Sequence, residues 1–456
     1  MADNLFSAEM VRRALYVWLS IAATLPGAQV NAQDTLELKT RNVWDLPQCI
    51  RYAIKHNIQI NTLRLEEKIS QQELQLANAA RWPGLSAAAS QTLTHTVQPN
   101  LNISGTSSKG LGSSGNYALN ASITLYNGGS IQNTILQKQD ATLSAAFTVK
   151  EQENDITLQI TRAYLTILLD REAIVYDQDI LTTSRSQVKL EAERFRVGSA
   201  AKKDLIQIQA QNAQDEYTLV SAKNAERGDL LTLKQLLTLP VEDSLDIVVP
   251  DTLKMSAIIV PLDSALQQAY RQRPEIKNAK LGIQIAEYGV KIAQAGYLPT
   301  LTATAAAESG YSDGHTTYFT QLGNNFYQQA GLTLDIPIFT RRTVKTHVEE
   351  AKINIEQASL NKDNTQIVLA QAVERAYLDI QNAAGQYQAA RQQFEFSKES
   401  YRIANAQLRI GSVNITDFLV VKSQYVQAEQ ALLEAHYSLL LYQQIYNLYR
   451  GIPVNL

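Results

Sequence analysis

The feature that most constrains this chain is an internal duplication held in one register. Arg162-Ala163-Tyr164-Leu165 recurs as Arg375-Ala376-Tyr377-Leu378, 213 positions later. Val197-Gly198-Ser199 recurs as Ile410-Gly411-Ser412, Leu239-Pro240-Val241 as Ile452-Pro453-Val454, and Leu125-Tyr126 as Ile338-Phe339, all at the same 213. Earlier in each half the offset is 216: Leu46 pairs with Leu262, Leu65 with Leu281, Pro83 with Pro299. The discrepancy falls between Leu85 and Leu125, and length differences of this kind collect in exposed connections. Two copies of one supersecondary unit are expected, the first over 33–241 and the second over 262–456, with 242–261 as a linker.

Each copy has the same grammar. A helix-like stretch comes first, 48–80 with a break near Asn57 and 263–295 with a break near Pro274. Trp82-Pro83-Gly84 and Leu298-Pro299 end it, because proline cannot continue a helix. Strand-like sequence follows, about 85–97 and 116–126 in the first copy and about 300–309 and 330–339 in the second. Tyr117, Leu119, Ala121, Ile123 and Leu125 share one face; Asn120, Ser122 and Thr124 share the other. This period suits a strand between lipid and water, and equally half of a soluble sandwich. The connections 99–115 and 309–329 read as turns; Tyr311, Tyr318, Phe319, Phe326 and Tyr327 in the second suit a membrane interface or simple loop packing.

Two proline-free runs complete the copies, 130–239 and 343–450. Ile156, Ile160, Ala163, Ile167 and Leu369, Val373, Ala376, Ile380 follow i, i+4, i+7, i+11, the spacing of helices packed as coiled coils. Gly198 and Gly411 mark hairpins, with long helices expected at about 130–197, 202–238, 343–410 and 415–450 and with Ser199 and Ser412 as caps for the second helix of each pair. The first helix of each hairpin runs roughly 100 Å at 1.5 Å per residue. No compact domain needs such a length.

Arg12 and Arg13, the apolar stretch 14–26 and Val30-Asn31-Ala32 read as a secretory signal over 1–32, with Met10 an alternative start. Leu46-Pro47-Gln48-Cys49 follows charged sequence, so the only cysteine reads as a small residue on an amphipathic helix and not as a lipid-attachment site. No later apolar run reaches the ~20 residues of a spanning helix, which leaves a β-barrel as the route into a membrane. A net charge of −3 without a basic run gives no footprint for nucleic acid. The five histidines are scattered without an HExxH pattern, and the stretch Gly105-Thr106-Ser107-Ser108-Lys109-Gly110 lacks the order of a phosphate loop. Asn102-Ile103-Ser104 is a glycosylation sequon in form only. No catalytic group, metal or cofactor is expected.

The whole mature region resembles the TolC outer-membrane efflux family. The resemblance rests on the repeat order and on Leu125-Tyr126-Asn127-Gly128-Gly129, Arg194-Phe195-Arg196-Val197-Gly198 with Asp204-Leu205, and Gln407-Leu408-Arg409-Ile410-Gly411 with Asp417-Phe418-Leu419. Trp44-Asp45-Leu46 through Asn57 is similar to the family's opening helix. It implies a mainly α protein with a membrane β-barrel: a homotrimer whose strands form one 12-stranded barrel and whose helices form a periplasmic tunnel, the linker and chain ends making a belt. It also implies passive export of drugs, metals or proteins, in a tripartite efflux or type I secretion system, in company with a periplasmic adaptor (membrane fusion) protein and an inner-membrane transporter. Val197, Gly198, Ser199, Ile410, Gly411 and Ser412 would meet the adaptor, and Asp204 and Asp417 would either line a periplasmic constriction or serve as helix-terminal charges favoured near an N-terminus. Leu408, Val413 and Val420 stand where tyrosine, arginine and a second aspartate are expected in the family. The rival readings are a non-conducting periplasmic coiled coil, which leaves the amphipathic strands unexplained, and an exported enzyme or binding protein.

Overall fold

The computed structural model describes residues 43–99, 107–250, 259–312 and 317–454. The expected signal, the sequon at Asn102, the start of the Gly105 loop, His315 and the middle of the linker lie outside the described residues. The first copy comprises β1 (Val43–Trp44), α1 (Leu46–His56), α2 (Ile58–Ala79), β2 (Gly84–Pro99), β3 (Ser107–Asn127), α3 (Ser130–Arg196) and α4 (Lys202–Leu236). Then come β4 (Asp246–Ile247), α5 (Leu262–Gln272), α6 (Pro274–Ala295), β5 (Thr300–Ser312), α7 (Tyr318–Asn324), β6 (Tyr327–Asp335), α8 (Thr343–Ile410) and α9 (Ile415–Tyr449).

Local chemistry explains the helix starts. Asp45 opens α1 with a capping box, its side chain accepting from Gln48 N while Gln48 Oε1 accepts from Asp45 N. Asn57 Oδ1 accepts from the backbone N–H of Gln59 and Ile60 and so restarts the chain as α2. At the same place in the second copy Arg273 precedes Pro274, whose fixed φ suits the first helical position and whose missing N–H needs no partner there.

The duplication reaches the backbone itself. All eight described residues with positive φ form four pairs at the 213 offset: Gly128 with Arg341, Gly129 with Arg342, Gly198 with Gly411, and Thr238 with Gly451. Three of these positions hold a residue with a Cβ, so packing imposes the left-handed conformation where the side chain opposes it. Thr238, at φ 55, is β-branched and carries the largest such penalty. We expect Thr238→Gly to raise stability by about 1 kcal/mol, read as a higher thermal midpoint in detergent. The reverse change at its counterpart is expected to destabilise, because a Cβ on Gly451 would lie 1.7 Å from Gln272 Oε1.

The helical stripes are buried as their spacing requires. Ile156, Ile160, Ala163 and Ile167 of α3 pack in one core with Leu46, Cys49 and Ala53 of α1, Leu233 of α4 and Tyr437 of α9. Leu369, Val373 and Ala376 of α8 meet Ala265 and Ala269 of α5 and Tyr446 of α9 in a second core. Cys49 and Ala53 are matched at the 216 offset by Ala265 and Ala269, all fully buried, so small side chains let the short helices approach the long ones closely. Burial, with the charge of Asp45, pushes the Cys49 thiol up to about 12, which makes it an inert packing group.

Along its length α3 changes neighbours. Its first half meets α2 through Lys138–Glu73 (2.6 Å) and Arg64–Glu153 (2.8 Å), and α6 through Ser144–Asn278 (2.5 Å). Its second half packs on α4, where Arg171 holds Glu226 at 2.8 Å and Asp246 of β4. β4 pairs in parallel with β1, and the Tyr164 hydroxyl donates to Val248 O at 2.6 Å, so the start of the linker is strapped across α3.

The four long strands form one antiparallel sheet in the order β2-β3-β5-β6. Three expectations need correction here. β3 begins at Ser107, nine residues before the expected 116, because its Ser/Gly-rich start pairs with β2 from Pro99↔Ser107 onward; cross-strand pairing overrides weak local propensity. β6 covers Tyr327–Asp335 and not 330–339: Pro337 has no N–H for a ladder and lies past its end. The segment 309–329 is not all turn, since β5 extends to Ser312 and α7 forms within it.

Candidate functional site

Two parts of the molecule carry chemistry relevant to function: the sheet at one end of the long helices and the hairpin tips at the other. Register assigns the sheet's faces. Leu85, Ala121, Ala305 and Ala330 align across the four strands, and the rows beside them add Leu119, Ile123, Ala303 and Leu332. The opposite face carries Ser86, Asn120, Ser122, Thr302, Thr304, Glu308 and Thr333. Leu85, Leu119, Leu332 and Leu334 are all exposed on the protomer. A sheet with one predominantly apolar face, interrupted by Gln328 in the row of Ala307 and by Gln91 in the row of Gly115, and one polar face suits a lipid-facing barrel wall. No described helix is long and apolar enough to cross a membrane.

At the far end the two tips are built alike. α3 ends with Ser199 N donating to Arg194 O (2.8 Å) and Gly198 N to Phe195 O (3.0 Å), Gly198 having φ +79. α8 ends with Ser412 N donating to Gln407 O (2.9 Å) and Gly411 N to Leu408 O (3.1 Å), Gly411 having φ +74. A Cβ on either glycine would meet nothing within 4 Å, so glycine is selected there by its φ and not by space. The expected capping role of the serines is reversed. Ser199 Oγ donates to Arg194 O (3.1 Å) and Ser412 Oγ to Gln407 O (3.3 Å), closing the helix before each turn. The N-caps that follow are Ala201, which has no side-chain cap, and Asn414, which accepts from Asp417 N at 2.8 Å. The Schellman turn leaves two further residues before the helix starts, too far for the serine to reach. Val197 is 68% exposed and Ile410 80%, so each tip presents an apolar residue to solvent.

Asp204 and Asp417 each sit in the first turn of the second helix of their hairpin, where the N-terminal dipole favours a carboxylate. Asp417 also accepts from Asn414 Nδ2 at 2.5 Å. What joins the two hairpins is a set of contacts between residues far apart in sequence, for which no contact was expected. Lys422 of α9 meets Asp215 of α4 at 2.5 Å, with exposures of 1% and 7%. Gln187 of α3 donates to Asn405 of α8 at 3.2 Å, and Arg194 donates to Arg409 O at 2.7 Å. Ile208, Ala404, Leu408, Ile415 and Phe418 form an apolar core between them. Leu408, a departure from the family's tyrosine, is therefore a core residue at 3% exposure. Burial lowers the Lys422 ammonium while Asp215 opposes the shift. A usable signal existed: Lys422 continues the apolar spacing Ile415-Phe418, and Asp215 lies between Ile208 and Leu219 on a buried stripe.

A second polar group lies within the first hairpin. Burial, a hydrogen bond with Asp229 and the negative charges of Asp229 and Glu226 hold Asp170 at about 7. Its folded value is raised above the unfolded one, so the stability it contributes is complete below about pH 4 and lost as pH rises through 7. We expect Asp170→Asn to leave the thermal midpoint unchanged at pH 4 and to raise stability by about 1–2 kcal/mol at pH 8. A gain of equal size at both pH values would show that the carboxyl does not titrate there.

Among the described residues no group of three or more His, Cys, Asp or Glu could hold a metal ion. The sequence profile of the family described as Outer membrane efflux protein matches residues 49–238 and 265–449, one segment in each copy. The outer membrane efflux protein BepC of Brucella suis is 22% identical over 393 residues, covering 85% of this chain and 81% of its own. The outer membrane protein TolC of Escherichia coli is 24% identical over 315 residues, covering 65% and 61%. Among solved structures, the Campylobacter jejuni CmeC outer membrane channel superposes with a TM-score of 0.76 at 19% identity, covering 89% of this chain and 85% of that one.

Proposed function

Because the chain belongs to the outer membrane efflux protein family, we propose that it is one protomer of a trimeric exit duct that conducts solutes passively across the periplasm and the outer membrane. The observation that carries this reading is the amphipathic four-stranded sheet with β2 and β6 as its two unpaired edges. In lipid an unpaired edge leaves backbone groups unsatisfied, and closure into a barrel is the remedy. Pairing β2 of one copy with β6 of the next closes three sheets into 12 strands, with the Ser, Thr, Asn and Glu308 face lining a wet lumen.

The long helices would continue that lumen as a tunnel. The linker and the chain ends would form a belt: β1, β4 and α1 lie where the start of the linker is strapped across α3, and α5, which follows the linker, packs on α8 and α9. At the far end Val197, Gly198, Ser199, Ile410, Gly411 and Ser412 would meet a periplasmic adaptor protein, with an inner-membrane transporter supplying the energy. Asp204 and Asp417, at the starts of α4 and α9, would stand at the constricted mouth. No catalytic step or cofactor is assigned.

The test is the mass and shape of the detergent-extracted protein, followed by conductance in planar bilayers. The expected particle contains three chains, has threefold symmetry and is about 140 Å long from helix and strand rises. It conducts ions through one pore per particle. A water-soluble monomer, or a rod without conductance, would exclude the duct and favour a periplasmic coiled coil.

A further inference from the structure

The β5–β6 connection was expected to be turn, yet it folds into a helix whose placement the duct reading does not use. β6 has nine residues, and its last partner on β5 is Glu308, facing Tyr327. About 9–11 tilted residues cross the hydrocarbon of a bilayer, so β5 residues 309–312 stand just beyond it at the outer rim. There α7 takes over from β6 as partner of β5. Asn325 Nδ2 donates to Gly310 O at 2.7 Å, Ser312 N donates to Gln321 Oε1 at 3.0 Å, and Ser309 Oγ donates to Leu322 O at 2.6 Å. The Tyr318 ring packs edge-on against Tyr311 with centroids 4.7 Å apart, and its hydroxyl meets that of Tyr117 at 3.0 Å.

Register decides which side of the wall this is. Tyr117 pairs with Ser309, and Gly115 with Tyr311, in the rows that continue Leu119↔Ala307 and Ala121↔Ala305. The helix therefore sits on the apolar face and not on the face of Glu308 and Asn120. Gly115 makes room for it: a Cβ there would lie 2.5 Å from the Tyr311 ring, which α7 packs against. α7 contains no charged residue, and Phe319 stands 71% exposed on it. An exposed aromatic on an uncharged helix, continuous with the apolar wall and one step beyond it, fits the boundary between headgroups and acyl chains.

We propose that α7 is a lipid-seated foot: a short helix on the outside of the barrel wall that inserts Phe319 and the ring of Tyr318 into the bilayer interface while covering the edge of β5 where β6 stops. The proposal rests on the barrel reading above, and its occupant is the lipid surface itself. Its physical consequence is to fix the depth and tilt of the wall at a place where strand pairing has run out.

The buried Cys49 leaves an introduced cysteine free for selective labelling. Spin labels at Phe319→Cys, Leu332→Cys and Thr333→Cys would be compared in vesicles of phosphatidylethanolamine and phosphatidylglycerol, using collision with oxygen against a water-soluble nickel chelate. The expected result is oxygen-favoured collision at 332, nickel-favoured collision at 333, and at 319 an oxygen-to-nickel ratio several-fold above that at 333 and below that at 332. A ratio at 319 equal to that at 333, with 332 still in lipid, overturns the foot and leaves the barrel standing. Nickel-favoured collision at 332 overturns the barrel reading and the foot with it. All three positions are unburied, so cysteine is not expected to impair folding at any of them.

Discussion

Replacing Lys422 by methionine is expected to cost about 3–5 kcal/mol, because it leaves the Asp215 carboxylate buried without its cation. The pair is 2.5 Å apart, nearly inaccessible, and joins α4 of one copy to α9 of the other. Gln211 Nε2, at 2.8 Å from the other Asp215 oxygen, cannot replace a charge. The thermal midpoint in detergent should fall. If the pair holds the hairpins together at the periplasmic mouth, single-channel conductance should rise in the same variant. Combining Lys422→Met with Asp215→Leu should recover most of the lost stability, since two apolar groups leave no orphaned charge. Full destabilisation in the double variant would mean that the site is over-packed and that charge is not the cause. Unchanged conductance in a folded Lys422→Met variant would make the pair a packing feature alone.

The second large effect is expected at the tips. Val197→Asp combined with Ile410→Asp should lower export by more than tenfold in cells that supply the pump and adaptor. An apolar contact at the centre of an interface contributes about 2 kcal/mol or more, and a buried carboxylate would oppose docking further. Both side chains face solvent in the protomer, so stability should change by less than about 0.5 kcal/mol. Trimer mass and conductance of the purified protein are then controls that should not move. Undiminished export with normal assembly would remove the tips from the adaptor interface. Loss of conductance together with export would instead place the residues in the channel wall.

Much of this protein could be read locally. Proline at 83 and 299, two long proline-free runs and glycines at 198 and 411 define where helices must stop, because these residues act on their own backbone. The stripe from Ile156 to Ile167 and its copy from Leu369 to Ile380 are buried because a helix presents i, i+4, i+7 on one side whatever it packs against. The alternation of Tyr117 to Ile123 likewise set one apolar and one polar face before any partner strand was known. A bulge at Leu125 breaks it, so that Tyr126 and not Leu125 pairs in the next row, with Leu301.

What the sequence alone determined was thus the repeat, the helix lengths and the amphipathic faces, all properties with a period of a few residues. Only the tertiary structure decided which faces meet. Lys422 finds Asp215 across 207 residues, a pairing that no local period encodes. Ser199 and Ser412 close one helix and do not open the next, because the turn geometry carries their hydroxyls back to residues 194 and 407. Arg341, Arg342 and Thr238 adopt left-handed backbone against their own preference, and α7 and the early start of β3 arise in segments of turn-like composition. In each case contacts distant in sequence outweigh a local preference of about 1–2 kcal/mol, which is why periodicity revealed the elements and only packing revealed their joints.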